Sequence, residues 1–237
     1  MPTAAETEAL LLSLRVATVA TLMTIVPGVC AAWILARTEF RAKVLLDAVV
    51  SSTLVLPPVV TGYFLLAVFG RNGPVGALLD RFFGFSFAFS WQGAALASAL
   101  VAFPLFVRTL RVSLEGVDES LEEAARILGA GRWRTAFRVT LPLAAPGLLA
   151  GTVLAFARSL GEFGATITFV GNIAGETRTV PLAIYAYTQT PGYEGAAFKL
   201  ALLSFVVAVA ALAGSEWVAA RIRRRSADRR TEGSGRG

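Results

Sequence analysis

The chain alternates long apolar runs with short polar connections, and the runs have the length of membrane-crossing helices. A helix rises about 1.5 Å per residue, so crossing a hydrocarbon layer takes roughly 20 mostly apolar residues. Five stretches meet that measure, at 16–36, 48–69, 87–107, 141–170 and 200–220. The second contains Pro57 and Pro58, which predict a kink. The fourth is apolar over 141–157 and then runs past polar interruptions to 170. The predicted fold class is an all-α integral membrane protein with about five transmembrane helices. It forms a single transmembrane domain over 1–225, and the polar tail over 226–237 is predicted to be disordered.

Between the fourth and fifth runs, residues 171–197 are rich in Gly, Thr and Pro, with a short apolar piece at 180–187. That piece is too short to span. It reads as a surface loop carrying an interfacial or re-entrant helix, because Tyr185 and Tyr187 suit the headgroup level. No internal repeat is visible, and an odd number of helices cannot form the two equal halves that many secondary transporters show.

The basic residues orient the chain. Of the 22 Lys and Arg, 16 fall on one set of connections: Arg37, Arg41 and Lys43 after the first run, six arginines from Arg108 to Arg138 after the third, and seven from Arg221 onward. Only Arg71, Arg81, Arg178 and Lys199 fall on the opposite side. Positive charge is retained on the cytoplasmic side, so the N-terminus is expected outside and the C-terminus in the cytoplasm. The first nine residues contain Glu6 and Glu8 and no basic residue, unlike a secretory signal, so the first run is expected to remain in the mature protein.

Composition narrows the function classes. With 55 % hydrophobic residues, 16 % charged residues and a mean hydropathy of +0.65, lipid is a more suitable solvent than water. The net charge of +6 is gathered in a few segments, which argues against a nucleic-acid-binding stripe. There is no histidine, and the single cysteine, Cys30, lies inside the first run. Neither a metal centre, nor triad catalysis, nor a disulfide within the chain is expected.

The connection at 117–140 is the longest on the basic side. Leu121, Ala124, Ala125 and Leu128 follow i, i+3, i+4, i+7 spacing, with Asp118, Glu119, Glu122 and Arg126 on other faces, so a short amphipathic helix is predicted. Gly129 and Gly131 supply the conformations that end a helix, and Trp133 and Phe137 form an i, i+4 pair on a second one. Pro142 and Pro146 mark the entry to the fourth run, where a first-turn proline costs little. Four acids between Asp118 and Glu123 suit anionic lipid poorly, so this helix pair reads as a docking element for another protein.

The string EEAARILGAGRWRTAFRVTLP resembles the EAA loop of importer permeases of the ATP-binding-cassette superfamily. Glu123, Ala124, Ala125, Gly129, Leu141 and Pro142 match at the family spacing, and Val139 stands where the family has Ile. Small Ala124 and Ala125 would let the helix sit close in a partner's groove, Gly129 would fix the bend and Glu123 would offer an orienting charge. No G-x-x-x-x-G-K-[ST] phosphate-binding loop occurs, so the chain is expected to be no enzyme, with ATP and magnesium used by a separate ATPase. The resemblance implies two such ATPase subunits gripping two copies of this loop.

A polar cluster interrupts the fourth run. Arg158, Ser159, Glu162 and Thr166 would share one face of a continuous helix. Ionisable residues at membrane depth either face a hydrated path or pair with one another, and the spacing fits both readings. More specifically, LLDAVVSSTLVLPPVVTGYFLL, FAFSWQGAALA, RVSLEGVD and FARSLGEFGATITFVGNIAGETRTVP resemble molybdate permease subunits of bacterial importers. That resemblance implies a homodimer in the bacterial inner membrane, two ATPase subunits, and an extracytoplasmic oxyanion-binding protein that delivers the anion. Tungstate and sulfate or thiosulfate permeases are the near alternatives, and a stand-alone secondary transporter is a more distant one.

Overall fold

The computed structural model describes residues 3–210 and 213, which are helical with no strand. Helix α1, Ala4–Arg37, is 34 residues long and opens with a capping box. The Thr3 hydroxyl accepts the Glu6 N–H while a Glu6 carboxylate oxygen accepts the Thr3 N–H at 2.7 Å. Helices α2 (Lys43–Val55) and α3 (Pro58–Phe69) follow, then α4 (Pro74–Phe83) and α5 (Trp91–Glu115). The connection after α5 carries α6 (Glu119–Ile127) and α7 (Arg132–Thr135), which continues through a π-helical turn at Ala136–Thr140 into α8 (Leu141–Leu143). Helices α9 (Ala145–Leu160), α10 (Gly164–Val170) and α11 (Val180–Thr188) come next, and α12 covers 194–210.

Only α1 and α5, among the described residues, are long and apolar enough to cross a membrane as single rods. The run at 48–69 is a pair of helices bent by 112°, far sharper than a kink. The cause is local: Leu56, preceding a proline, is forced extended at ψ 136°, and Pro57 is extended as well at ψ 133°. Two extended residues in succession re-aim the chain before Pro58 starts α3.

The run at 141–170 is likewise not one helix. Its first residues belong to the α7–α8 segment, which meets α9 at a bend of 67°, and a second break at 161–163 separates α9 from α10. Pro142 cannot donate a backbone hydrogen bond, and the chain widens into the π turn just before it, where the Leu141 N–H reaches Ala136 O five residues back. The predicted fifth run is helical as far as residue 210. Its remainder, apart from residue 213, and the tail at 226–237 lie outside the described residues.

The buried core is centred on α5. Phe106, Leu110 and Leu114 pack with Leu35 of α1 and Ala155 of α9, and a second cluster joins Val101, Ala94 and Ala95 to Val16, Leu65 and Phe169. Helices in lipid gain little from hydrophobicity against each other, so close approach through small residues matters more. At Gly62 a β-carbon would stand 2.5 Å from the carbonyl oxygen of Ala165, so α3 and α10 meet backbone to backbone.

Helix α11 is more than part of a surface loop. Val180, Leu182 and Ala183 are buried, and the Val180 N–H donates to Ser13 Oγ of α1 at 2.7 Å. Lys199 of α12 reaches Glu6 of α1 at 2.8 Å, so the start of α12 meets the first turn of α1. Replacing Gly62 by Val should force α3 away from α10 and destabilise the protein by about 1–3 kcal/mol. A thermal melt in detergent checks this, and an unchanged midpoint would show that the two helices can separate freely.

Candidate functional site

Two places were singled out by the sequence. The first is the connection between α5 and α9. Asp118 caps α6, its carboxylate accepting the Ser120 N–H at 2.9 Å, and this bond holds its pKa below the usual carboxylate range. Helix α6 ends at Gly129, whose φ of +86° lies in the region that side chains with a β-carbon avoid. Ala130 N–H then bonds back to Ala125 O at 3.0 Å, closing the turn.

No residue of α6 is buried. Its apolar stripe points outward: Ile127 and Leu128 are 85 % and 87 % exposed, and Leu121 and Ala124 are exposed as well. Trp133 and Phe137 stack with ring centres 6.2 Å apart and are also exposed. Glu123 and Gly129 are exposed, Ala125 and Leu141 are half-buried, and Pro142 is exposed on α8. The structure therefore gathers Glu123, Ala124, Ala125 and Gly129 on one projecting helix and its end, whereas Leu141 and Pro142 belong to the segment that leads into the bundle.

Three residues escaped the sequence reading. Glu122, next to the matched Glu123, has only 12 % of its side chain exposed; Arg37 Nη2 lies 2.8 Å from its Oε1, and Thr140 Oγ1 donates to the same oxygen at 2.8 Å. Arg37 is the last residue of α1. Nothing in the sequence couples position 37 to position 122, 85 positions further along the chain. Beside this contact a cavity of about 690 Å3 opens between the end of α1 and the helix pair, lined by Trp33, Glu119, Glu123, Arg126 and Trp133 among others.

The second place is the break between α9 and α10. Arg158 and Ser159 lie on the last turn of α9, Glu162 in the break and Thr166 on α10, so the four do not share one continuous helical face. Glu162 repairs the break: its Oε1 accepts the Ala165 N–H at 2.7 Å, and Oε2 lies 2.8 Å from Arg158 Nη1. Its side chain is 1 % exposed and that of Arg158 30 %. Thr166 Oγ1 donates to Phe163 O at 2.9 Å. Ser159 Oγ and Glu162 Oε2 are buried without a well-directed hydrogen bond. The Arg158 contact at Oε2 is thus a close charge pairing that lacks hydrogen-bond geometry. Among the described residues no cluster of His, Cys, Asp or Glu is suited to hold a metal ion.

A broken-helix bundle with a projecting, unburied helix pair is a fold found in solved ATP-binding-cassette transporters. The same fold occurs in a methionine transporter captured in inward-facing form, at a TM-score of 0.71 and 16 % identity over 91 % of this chain and 95 % of that one. It also occurs in a bacterial importer of alginate, at 0.75 and 16 % identity over 93 % and 81 %. Residues 28–224 match the model of the binding-protein-dependent transport system inner membrane component, and the chain belongs to that family of multi-pass inner-membrane proteins.

The chain is 57 % identical to the molybdenum transport system permease protein ModB of Escherichia coli (strain K12), over 94 % of its own length and 97 % of that protein. It is 53 % identical to the ModB of Haemophilus influenzae over 93 % and 96 %. Identity to the sulfate transport system permease protein CysT of Escherichia coli is 40 %, over 78 % and 65 %.

Gly129→Val should strain the end of α6 by about 1–2 kcal/mol, since a β-carbon there would meet no neighbour and only the backbone conformation is at issue. Amide exchange over 124–130 should accelerate by roughly 5- to 30-fold, and unchanged exchange would mean that the turn relaxes without cost. At the second place, Arg158→Ala leaves the Glu162 charge buried without its partner, at up to about 3–5 kcal/mol. A detergent melt should show a smaller loss for Arg158→Ala combined with Glu162→Gln; an equal or greater loss would mean that the two residues act separately.

Proposed function

We propose that this chain is the permease subunit of an importer that carries molybdate into the bacterial cytoplasm, driven by a separate ATPase. The supporting observation is 57 % identity, over nearly the whole chain, to a protein named for molybdenum transport, against 40 % over a shorter stretch for one named for sulfate. Sulfate or thiosulfate and tungstate are the alternative cargoes.

In this reading five spans cross the membrane with the N-terminus outside and the C-terminus in the cytoplasm, an orientation that the distribution of basic residues supports. Helices α6 and α7 then lie in the cytoplasm. Leu121, Ile127, Leu128, Trp133 and Phe137 present an apolar face too large to leave in water, rimmed by Glu123 and Arg126. That face is the docking surface for a cytoplasmic ATPase, which binds ATP and magnesium and supplies the force. Small Ala124 and Ala125 allow close approach, and the turn at Gly129 sets the angle of the pair.

A molybdate dianion in hydrocarbon would cost on the order of tens of kcal/mol, so it must pass through a hydrated, polar-lined route. The helices of one chain scarcely enclose such a route, and a homodimer does so on its two-fold axis. Two ATPase subunits complete the assembly, and an extracytoplasmic oxyanion-binding protein delivers the anion. Arg158, Ser159, Glu162 and Thr166 are the residues assigned to the wall of the route. The partly exposed guanidinium of Arg158, the cation among the four, supports that assignment.

Right-side-out vesicles loaded with ATP and bearing the permease with its ATPase and binding protein decide the cargo. Uptake of labelled molybdate should be competed by unlabelled molybdate and little affected by sulfate, whereas equal competition by sulfate would overturn the molybdate reading. Glu123→Lys should lower ATPase co-purification several-fold with membrane insertion intact, and wild-type co-purification would remove Glu123 from the docking surface.

A further inference from the structure

Helix α6 receives the force of the ATPase in the reading above, yet none of its residues is buried, and an open cavity of about 690 Å3 separates much of the helix pair from the end of α1. A push on α6 moves the bundle along the chain and through the contacts that cross this gap. Along the chain it passes back through 116–118 to α5 and onward through α7, the π turn and α8 to α9. Across space, the close polar contacts between α6 and α1 converge on Arg37.

The Arg37 guanidinium has one nitrogen 2.8 Å from Glu122 Oε1 and another 3.7 Å from Glu119 Oε1, so it contacts two carboxylates one turn apart on α6. Nη2 also donates to Val117 O, just before α6, at 3.4 Å. Glu122 in turn accepts from Thr140 of the π turn. Both side chains of the central pair are 12 % exposed. In such surroundings a charge pair is screened little by water, and planar Arg holds its partners directionally where Lys would not. Arg37 is at the end of a 34-residue helix that packs along α5 and α9 and, at its far end, bonds α11 and α12.

We propose that Arg37 is a positioning residue that transmits the movement of α6 to α1, so that the far end of the bundle follows the ATPase. The Arg37–Glu122–Thr140 cluster ties three elements: α1, the docking helix and the turn leading to α9. Displacement of α6 therefore moves both α1 and α9. Without the cluster, force reaches α5 and α9 along the chain and α1 only through its packing on them, so α1 lags. Leu121, Ile127 and Leu128 of the docking face take no part in these contacts, whereas Arg126 on its rim lies 3.7 Å from Glu122, so complex yield is followed beside the coupling.

This inference rests on the transport reading above, and the test separates the two. Wild type, Arg37→Ala, Glu122→Gln and the exchange Arg37→Glu with Glu122→Arg are each reconstituted with the ATPase and binding protein in proteoliposomes. The readout is molybdate accumulated per ATP hydrolysed, normalised to assembled complex, so poor assembly of a variant does not enter it. Arg37→Ala should lower the ratio at least about 5-fold, the lower end of ordinary coupling free energies. Glu122→Gln, which keeps the side-chain shape, should lower it in the same direction, and the exchange should recover part of it. Arg37→Lys should recover less than full coupling.

A ratio unchanged in both Arg37→Ala and Glu122→Gln would overturn the inference while leaving the transporter intact. Loss of complex yield at a wild-type ratio would overturn it too, since Arg37 would then serve assembly alone. If the wild-type complex hydrolyses ATP and accumulates no oxyanion, the transport reading falls and this one with it.

Discussion

A backbone N–H or C=O inside hydrocarbon has no water to turn to, so every interruption of a membrane helix must be repaired from within the protein. This chain interrupts its helices at the Pro57–Pro58 bend, at the π turn before Pro142, and between Leu160 and Gly164. Each break carries its own repair. Pro58 begins α3 where an amide would go unused, the π turn absorbs the missing donor of Pro142, and Glu162 accepts the first free amide of α10. Thr18, Thr21, Thr24 and Thr152 donate their hydroxyls to carbonyls one turn back, so these side chains add no unmet donor to the interior.

The same demand accounts for a buried charge at the second break. A carboxylate at membrane depth would be expensive alone, but Glu162 serves as helix cap and as partner of Arg158 at once. Pairing is visible in the geometry, and it leaves Arg158 partly exposed, so a structural pair and a surface available to a passing anion are compatible. Backbone-to-backbone contact at Gly62 and Gly164 then fixes α10 against the α2–α3 bend, so two interruptions stabilise one another.

On the other side of the α5–α9 connection the balance is reversed. In the proposed topology helix α6 sits in water, where its backbone ends need only Asp118 and the Gly129 turn, and its stability as an element does not depend on burial. In that reading its apolar stripe is left for a partner, and a small polar cluster around Arg37 ties it to α1. A docking element must move with its partner and still pull on the membrane helices, and a few directional bonds at one end satisfy both needs better than a broad apolar seam would.

The sequence by itself determined the solvent, the helical class and the family, because these rest on run lengths, composition and local spacing, and it supplied the proposed docking loop on the same ground. Glu123, Ala124, Ala125, Gly129, Leu141 and Pro142 were legible as a motif for that reason. The same local rules predicted a kink at Pro57–Pro58 and a continuous face from Arg158 to Thr166. The structure turned the kink into a bend of 112°, because two successive extended residues precede Pro58, and broke the face at 161–163. It also decided that Glu122 faces inward to Arg37, that Lys199 reaches Glu6, and that α11 packs on Ser13. Those pairings join residues 85 to 193 positions apart, and local periodicity carries no information over such separations; only the packing of the bundle brings them together.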